Sequence, residues 1–288
     1  MEEKRFILNY CASFIDLLGQ QDALKDQGIL PDFKNEDDKK KFMDIVKNSI
    51  GAIEKLQSQV EVFRQRISNS SSIKSLSPDD KLLYDEMKKV KAKQQRWSDG
   101  LVLYSSLEDK KNKCPMNAIL EIFFVSGTMC FLGLVNKQPV RGAIETSWGV
   151  ELHNNELYGA VVANSYELES KIAQYPRIVV GQKTINYLNA YLVEPINTED
   201  KLFLYNRNLA QMCMNMTGID QDGYHIVDYL GKTFTESVTH SQSQMLYKKA
   251  YLYICEQYEL HKSNRNSKLA LRYMWLRGYF HQHRELHA

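Results

Sequence analysis

Apolar and polar residues alternate along the first segment of the chain, from Phe6 to Phe14. A period of two is typical of a β-strand with one buried face. The alternation stops at Asp-Leu-Leu-Gly, residues 16–19, and we expect the strand to end there.

Helical periodicity dominates two other parts of the chain. Apolar residues recur every three or four positions from Asn35 to Arg66, which predicts a long amphipathic helix. Beyond Gly181 the chain is mostly helical, with the clearest amphipathic segments at Thr235 to His261 and Lys268 to His283. The pattern therefore predicts a helical segment after the first strand and a helical carboxyl-terminal region.

The middle of the chain combines strands and helices. The turn residues of Trp97-Ser98-Asp99-Gly100 predict a hairpin that continues as a strand at Leu101 to Tyr104. We expect two strand segments within Pro139 to Leu152, a helix at Gly159 to Ala173, and a short strand at Arg177 to Val180. This order of elements predicts an α+β fold.

A continuous apolar run extends from Ala118 to Val135. Glu121 interrupts it and Ser126-Gly127-Thr128 lies in its middle, and the run is at the lower limit for crossing a bilayer. We therefore expect a buried core or dimer-interface helix and no membrane span. The charged amino terminus, residues 2–5, does not resemble a signal peptide.

The charge balance and the cysteines exclude several classes of function. Lysine and arginine number 37 against 35 acidic residues, so there is no broad basic field to bind a nucleic acid. The five cysteines are scattered without a CxxC pair, which favours a reducing cytoplasm over a disulfide or zinc scaffold. Residues 218–223, rich in Asp and Gly, lack the other ligands of a calcium loop and predict a turn.

Two aspartates, Asp16 and Asp99, are the candidates for metal-dependent catalysis. Asp16 follows the first strand and precedes Leu17-Leu18-Gly19, where a turn can present main-chain N–H groups to a triphosphate. Asp99 lies in the hairpin turn. Two carboxylates brought together from adjacent strands can hold the metal pair that phosphoryl and nucleotidyl transfer require. Each aspartate also has a simpler explanation, as a turn residue or helix cap.

Four short motifs carry a family resemblance: Phe14-Ile15-Asp16-Leu17-Leu18-Gly19, Ser98-Asp99, Arg141-Gly142-Ala143-Ile144 with Gly149, and Leu157-Tyr158-Gly159 with the helix after it. In this order they resemble the catalytic domain of class III adenylyl and guanylyl cyclases. The resemblance covers roughly Phe6 to Gly181. It implies a ferredoxin-like cyclase core within a domain of residues 1–195, a helical insertion at about 35–92, and a mostly helical extension at 196–288.

The resemblance also implies a site. Asp16 and Asp99 would hold two Mg²⁺ or Mn²⁺ ions per active site, with help from the main-chain carbonyl of Ile15 or Leu17, and the site would be shared across a homodimer. Positive charge for the nucleoside triphosphate and its transition state would come first from Arg141 and Arg177. Further candidate substrate-binding residues are Gly19, Arg96 and Lys183.

The sequence departs from the usual purine cyclases at selective positions. Ala163 and Glu167 align with the asparagine that orients the ribose and the arginine that stabilises the transition state. Gln95 stands for the purine-selecting lysine and Glu156 for its partner aspartate. Tyr166, on the same helix as Ala163, is a candidate for base contact or for packing.

The wider pattern, including Tyr-Glu-Leu-Glu at 166–169 and Pro-Arg-Ile-Val at 176–179, resembles the divergent bacterial branch that includes the pyrimidine cyclases of Pycsar anti-phage systems. This implies conversion of CTP or UTP to a cyclic monophosphate that signals to a separate effector protein. A purine cyclase with unusual selectors and a catalytically inactive, nucleotide-sensing or interaction module are the alternatives.

Overall fold

The computed structural model describes residues 6–19, 32–47, 91–97, 100–107, 114–152, 155–195, 200–239 and 243–287, with isolated positions 51, 54 and 58. The strands are β1 (Ile7–Leu17), β2 (Lys93–Trp97), β3 (Gly100–Ser106), β4 (Val140–Leu152), β5 (Glu156–Tyr158), β6 (Ile178–Val180), β7 (Thr217–Ile219) and β8 (His225–Val227). The helices are α1 (36–47), α2 (Pro115–Val135), α3 (Ala160–Glu167), α4 (Gln182–Val193), α5 (Lys201–Asn215), α6 (Ser243–Ser263) and α7 (Ser267–Gln282). Shorter turns are π-helical at Leu168–Ile172, α-helical at Lys232–Phe234, π-helical at Thr235–Thr239 and 3₁₀ at Arg284–His287.

The strands form one mixed sheet in the order β2-β3-β1-β4-β6-β8-β7, with β5 paired to the end of β4. Its pairs are antiparallel except for β4 and β6, which run parallel. The predicted α+β class is confirmed. Because β8 pairs with β6, the sheet continues past residue 195, where the sequence suggested a domain boundary.

β1 is an interior strand between β3 and β4, and the alternation that predicted it indicates only one of its two buried faces. Tyr10, Ala12 and Phe14 belong to a small core against α3, whereas Cys11 and Ile15 belong to the main core on the opposite face. Both faces are therefore buried, and the expectation of a single buried face was wrong. The intervening polar residue Ser13 is accommodated because its hydroxyl hydrogen-bonds that of Ser126 at 2.8 Å.

α2 is the apolar run recognised in the sequence. By length and composition it could cross a membrane, but 83% of its most apolar window is buried, mainly against the sheet, α5 and α6. Its charged residue has a structural role, since the Glu121 carboxylate accepts the Ala92 N–H at 2.9 Å. Gly127 allows close packing, because a Cβ there would lie 2.6 Å from the Phe234 ring.

Several elements differ from the sequence expectation. Residues 140–152 form one continuous strand instead of two segments, because β1 pairs along nearly all of it. The helix after Gly159 leaves α-geometry at Glu167 and continues as the π-helical turn. The turn at 218–223 is present, with the Gly223 N–H donating to the Asp220 carbonyl, but it joins two short strands that the sequence did not predict. Of the helix predicted at 35–66, residues 36–47 are helical and most of the remainder lies outside the described residues.

Candidate active site

Three segments that are distant in sequence meet at one end of the sheet: the end of β1, the start of β3 and the start of β4. In the strand register, Asp16 near the end of β1 lies opposite Gly100 of β3 on one side and Arg141 of β4 on the other. The hairpin approaches closely, since a Cβ on Gly100 would lie 3.3 Å from the Ile15 carbonyl oxygen. Sheet pairing therefore places these segments side by side.

Asp99 and Ser98 lie outside the described residues. The strands that flank them are described, and Trp97 pairs with Gly100 at the end of the hairpin. Within the described residues, His, Cys, Asp and Glu side chains form no group of three or more that could hold a metal ion. Asp16 supplies a partly exposed carboxylate at the strand end, and such oxygens are ligands that Mg²⁺ and Mn²⁺ prefer.

Arg141 is held beside Asp16 by a buried partner. Its Nε donates to a carboxylate oxygen of Glu169, whose side chain is almost fully buried in the π-helical turn. Its Nη2 lies 3.8 Å from Asp16 Oδ2, which is an ion pair without a direct hydrogen bond. Glu169 therefore orients the guanidinium, while one edge of Arg141 remains near the strand end.

Glu169 was not predicted as a site residue. It lies in the Tyr-Glu-Leu-Glu segment at 166–169, so the sequence did contain a signal. The segment was predicted as regular helix, however, and an unbroken helix gives no reason to single out this glutamate for a contact with Arg141.

The turn after Asp16 has the geometry expected of a glycine. Gly19 is exposed, and its φ is near +90°. A Cβ there would meet nothing within 4 Å, so glycine is favoured by the backbone conformation and not by a lack of space for a side chain. Leu17 is buried at the end of β1. The Leu18 N–H donates to the Pro139 carbonyl at 2.9 Å, so this amide of the turn already has a partner.

An open pocket of about 670 Å³ brings together three predicted substrate-binding residues, Gln95, Arg96 and Glu156. Gln95 Oε1 accepts the Leu157 N–H at 2.9 Å and so connects β2 with β5, which are not paired to each other. With its oxygen fixed, the amide of Gln95 presents Nε2 as a hydrogen-bond donor. The pocket therefore offers an amide donor and a carboxylate acceptor close to the hairpin that ends beside Asp16.

The other predicted residues are placed as follows. Tyr166 is 51% exposed, and its ring lies 5.3 Å from that of Phe14 between centroids, so packing is its described contact and base contact stays a prediction. Lys183 is exposed at the second position of α4 and forms no ion pair with any described residue. Glu167, where purine cyclases have a catalytic arginine, pairs with Lys171 at 2.7 Å.

Arg177 is the most constrained of the predicted cations. It is 2% exposed, and its two terminal nitrogens donate to Asp220 at 2.7 Å, to Asp222 at 2.9 and 2.6 Å, and to the Ile172 carbonyl at 2.6 Å. Its guanidinium also stacks on the Tyr175 ring, 4.4 Å from the centroid. The Tyr175 hydroxyl in turn donates to Asp220.

The pKa shifts follow from this pairing. Burial alone would raise the pKa of Asp222, but the hydrogen bond and charge of Arg177 hold it below its ordinary value. Burial alone would lower the pKa of Arg177, and its carboxylate partners instead raise it. These contacts anchor the β7–β8 turn to β6. The prediction that Arg177 contacts substrate stays a prediction, and a structural role for the same side chain now stands beside it.

No protein-family model and no curated protein matches this chain. An assignment of function therefore depends on the motifs and on the geometry they form.

Proposed function

We propose that this chain is a metal-dependent nucleotide cyclase of the class III type that converts CTP or UTP to the 3′,5′-cyclic monophosphate and pyrophosphate. The observation that carries the proposal is the register at the end of β1, where Asp16 lies between the Gly100 end of the hairpin and Arg141. The motifs are far apart in the sequence. They can form a single active site only if the fold makes them neighbours.

The strand order supports a ferredoxin-like core. The first four strands are antiparallel in the order β2-β3-β1-β4, with α1 between β1 and β2 and α2 between β3 and β4 in sequence. This is the order of a β-α-β-β-α-β unit, which places the end of β1 next to the end of the β2–β3 hairpin.

In the proposed reaction the 3′-hydroxyl loses its proton to solvent and its oxygen forms a bond to the α-phosphorus. The bond from that phosphorus to the bridging oxygen breaks, and pyrophosphate leaves with the electron pair of that bond. Asp16 and Asp99, with a main-chain carbonyl of Ile15 or Leu17, would hold two Mg²⁺ or Mn²⁺ ions. Bound there, the ions would acidify the hydroxyl and neutralise phosphate charge.

Arg141 has the contacts expected of a substrate cation. A guanidinium offers a fixed, permanently charged fork for the phosphate oxygens, and Glu169 restricts its orientation before substrate binds. Because such preorganised charge acts most strongly as negative charge develops, we assign Arg141 to the transition state as well as to binding.

The pocket of Gln95 and Glu156 is the proposed base site. A donor and an acceptor in the same pocket can pair with one edge of a base, and the replacement of lysine by Gln95 disfavours the purine arrangement of the family. Arg96 in the same wall adds a positive charge that suits a nucleotide.

The proposed assembly is a homodimer. Exposed apolar residues lie at the far end of the sheet. Ile7 and Tyr158 both neighbour Val150 in the register, and Trp148 lies two positions from Val150 along β4. A patch of this kind typically marks a protein interface. The product would act in the cytoplasm as a messenger in anti-phage defence, through a separate effector.

Incubation of the purified protein with ATP, GTP, CTP and UTP, each with Mn²⁺, followed by mass detection of products, tests the proposal. We expect cyclic CMP or cyclic UMP and little purine product. Cyclic AMP or cyclic GMP alone would establish the purine alternative. Nucleotide binding without any cyclic product would favour the inactive sensing module.

A further inference from the structure

A second cavity, of about 320 Å³, lies between α7, the π-helical turn at Leu168–Ile172 and the β7–β8 turn. Its wall includes three aromatic residues, Tyr175, Tyr224 and Trp275, and four cations, Lys171, Arg177, Lys268 and Arg272. None of the residues in the pocket of Gln95 and Glu156 lines it. Its size is at the lower end of the range for ligand-binding pockets.

The cations of α7 have no carboxylate partners in the described part of the chain. Lys268 and Arg272 are four residues apart and so share one face of the helix. Arg272 donates to the neutral Gln174 Oε1 at 3.1 Å, and Lys268 forms no described ion pair. Burial lowers the pKa of Arg272, and the like charge of Arg141 lowers it further. Positive charge is thus concentrated here without compensation.

The one carboxylate in the wall does not provide that compensation. Asp222 accepts hydrogen bonds from Arg177 on both of its oxygens, at 2.9 and 2.6 Å. The negative charge of Asp222 is therefore largely neutralised by the buried Arg177. Lys171 pairs with Glu167 and Arg177 with Asp220 and Asp222, so Lys268 and Arg272 are the wall cations without a described carboxylate partner.

Arg177 lines the cavity but is not expected to bind a ligand there. The residue is 2% exposed, and its terminal nitrogens already donate to Asp220, Asp222 and the Ile172 carbonyl. Its Nε has no hydrogen-bond partner among the described residues, but that atom is buried away from solvent and so from a ligand in the cavity. The contacts available to a ligand are therefore those of the other cations and of the aromatic rings.

The aromatic residues specify the shape of the ligand. Trp275 is 42% exposed and Tyr224 40% exposed, whereas Tyr175 is buried and meets the Trp275 ring edge-on at 5.8 Å between centroids. Exposed rings beside unpaired cations suit a ligand that has both a planar apolar part and an anionic group. A lone inorganic anion would leave the rings unused.

We propose that this cavity is a binding site for a nucleoside monophosphate, linear or 3′,5′-cyclic, with the base against Trp275 and Tyr224 and the phosphate on Lys268 and Arg272. The cavity shares no lining residue with the pocket of Gln95 and Glu156, and its occupancy does not require that the chain be a cyclase.

Calorimetric titration of the protein of residues 1–288 in EDTA tests the proposal, because without divalent metal any proposed turnover is prevented. The probes are CMP, UMP, AMP, GMP and the cyclic forms of CMP and UMP, with cytidine, uridine and inorganic phosphate as partial ligands. We expect saturable binding of at least one nucleotide and weaker binding of the partial ligands. The double variant Lys268→Ala with Arg272→Ala should weaken nucleotide binding by about tenfold or more, since it removes two charged donors.

Lys249→Ala, an exposed cation on α6, is the matched control and should bind as the unmodified protein does. Glu156→Ala reports on the other pocket. Binding lost in Glu156→Ala but unchanged in the double variant would assign the ligand to the catalytic pocket and overturn the proposal. So would the absence of binding for every nucleotide, or inorganic phosphate binding as tightly as the nucleotides. Matching thermal melts for the double variant and Lys249→Ala exclude misfolding as the cause of a loss.

Discussion

Replacing Arg177 with methionine removes a buried positive charge from between two carboxylates. The side chain of Asp220 is only 7% exposed, so it would stay buried without its partner. Removing one member of a buried, hydrogen-bonded ion pair costs about 3–5 kcal/mol. For a chain of this size we therefore expect Tm to fall by on the order of 10 °C.

Differential scanning calorimetry of Arg177→Met measures this loss directly. Arg96→Met, a change at an exposed arginine, is the matched control and should leave Tm nearly unchanged. The triple variant Arg177→Met, Asp220→Asn, Asp222→Asn should regain part of the lost stability, because it also removes the uncompensated carboxylates.

Kinetics on the same variant separate the structural role of Arg177 from a substrate contact. If Arg177 anchors the β7–β8 turn, kcat per folded molecule well below Tm should stay close to that of the unmodified protein. An unchanged Tm together with a kcat loss of about a hundredfold would refute the structural reasoning and establish the transition-state role.

The pH dependence of stability gives the same test without kinetics. The pKa of Asp222 is lower in the folded protein than the ordinary value of about 4, so its contribution is fully present above that value. It is lost as pH falls through the lowered folded pKa. Arg177→Met should therefore lose less stability than the unmodified protein during acidification, as measured by urea midpoints.

Three further outcomes are expected. Asp16→Asn should abolish cyclic product in the mass assay with only a small change in Tm, because asparagine has nearly the same shape and the side chain loses a proposed metal-binding charge and the 3.8 Å ion pair with Arg141; near-normal activity would reject the metal assignment. Glu169→Gln should lower kcat about tenfold or more with little change in KM, since Arg141 loses the charge that orients it; equal changes in both constants would indicate ground-state binding alone. Burial alone would lower the pKa of His283, but Asp228 raises this pKa above its ordinary value. The ion pair of His283 with Asp228 therefore stabilises the fold below about pH 6.5, and this stabilisation is lost as pH rises through the folded pKa of His283. Urea midpoints of His283→Gln should accordingly depend less on pH between about 6 and 8.

The predicted elements that the structure contains have signals that are contiguous in sequence. β1 was predicted from its alternation, α2 from a continuous apolar run, and β3 from the turn residues before it. β7 and β8 have three residues each, too few for a period, and pairing with β6 stabilises them. They could not be predicted because their stability is not local.

The residues of the candidate site also fall into those that the sequence predicts and those that it does not. The position of Asp16 at a strand end was predictable, because the strand and its turn are contiguous in sequence. The partners of Arg141 and Arg177 were not, since Glu169, Asp220 and Asp222 reach them through a π-helical turn and a hairpin that the pattern does not reveal. A charge considered alone indicates a substrate contact and a buried ion pair equally well.

The pairing of β6 with β8 has a consequence for any shortened form of this protein. A chain ending near residue 195 would lack β8 and β7, so β6 would become an unprotected sheet edge with free main-chain groups. The same truncation would remove both carboxylates that neutralise Arg177 and the helices that cover α2. We expect such a fragment to aggregate, so that the carboxyl-terminal third behaves as an integral part of the folding unit and not as an appendage that can be trimmed or exchanged.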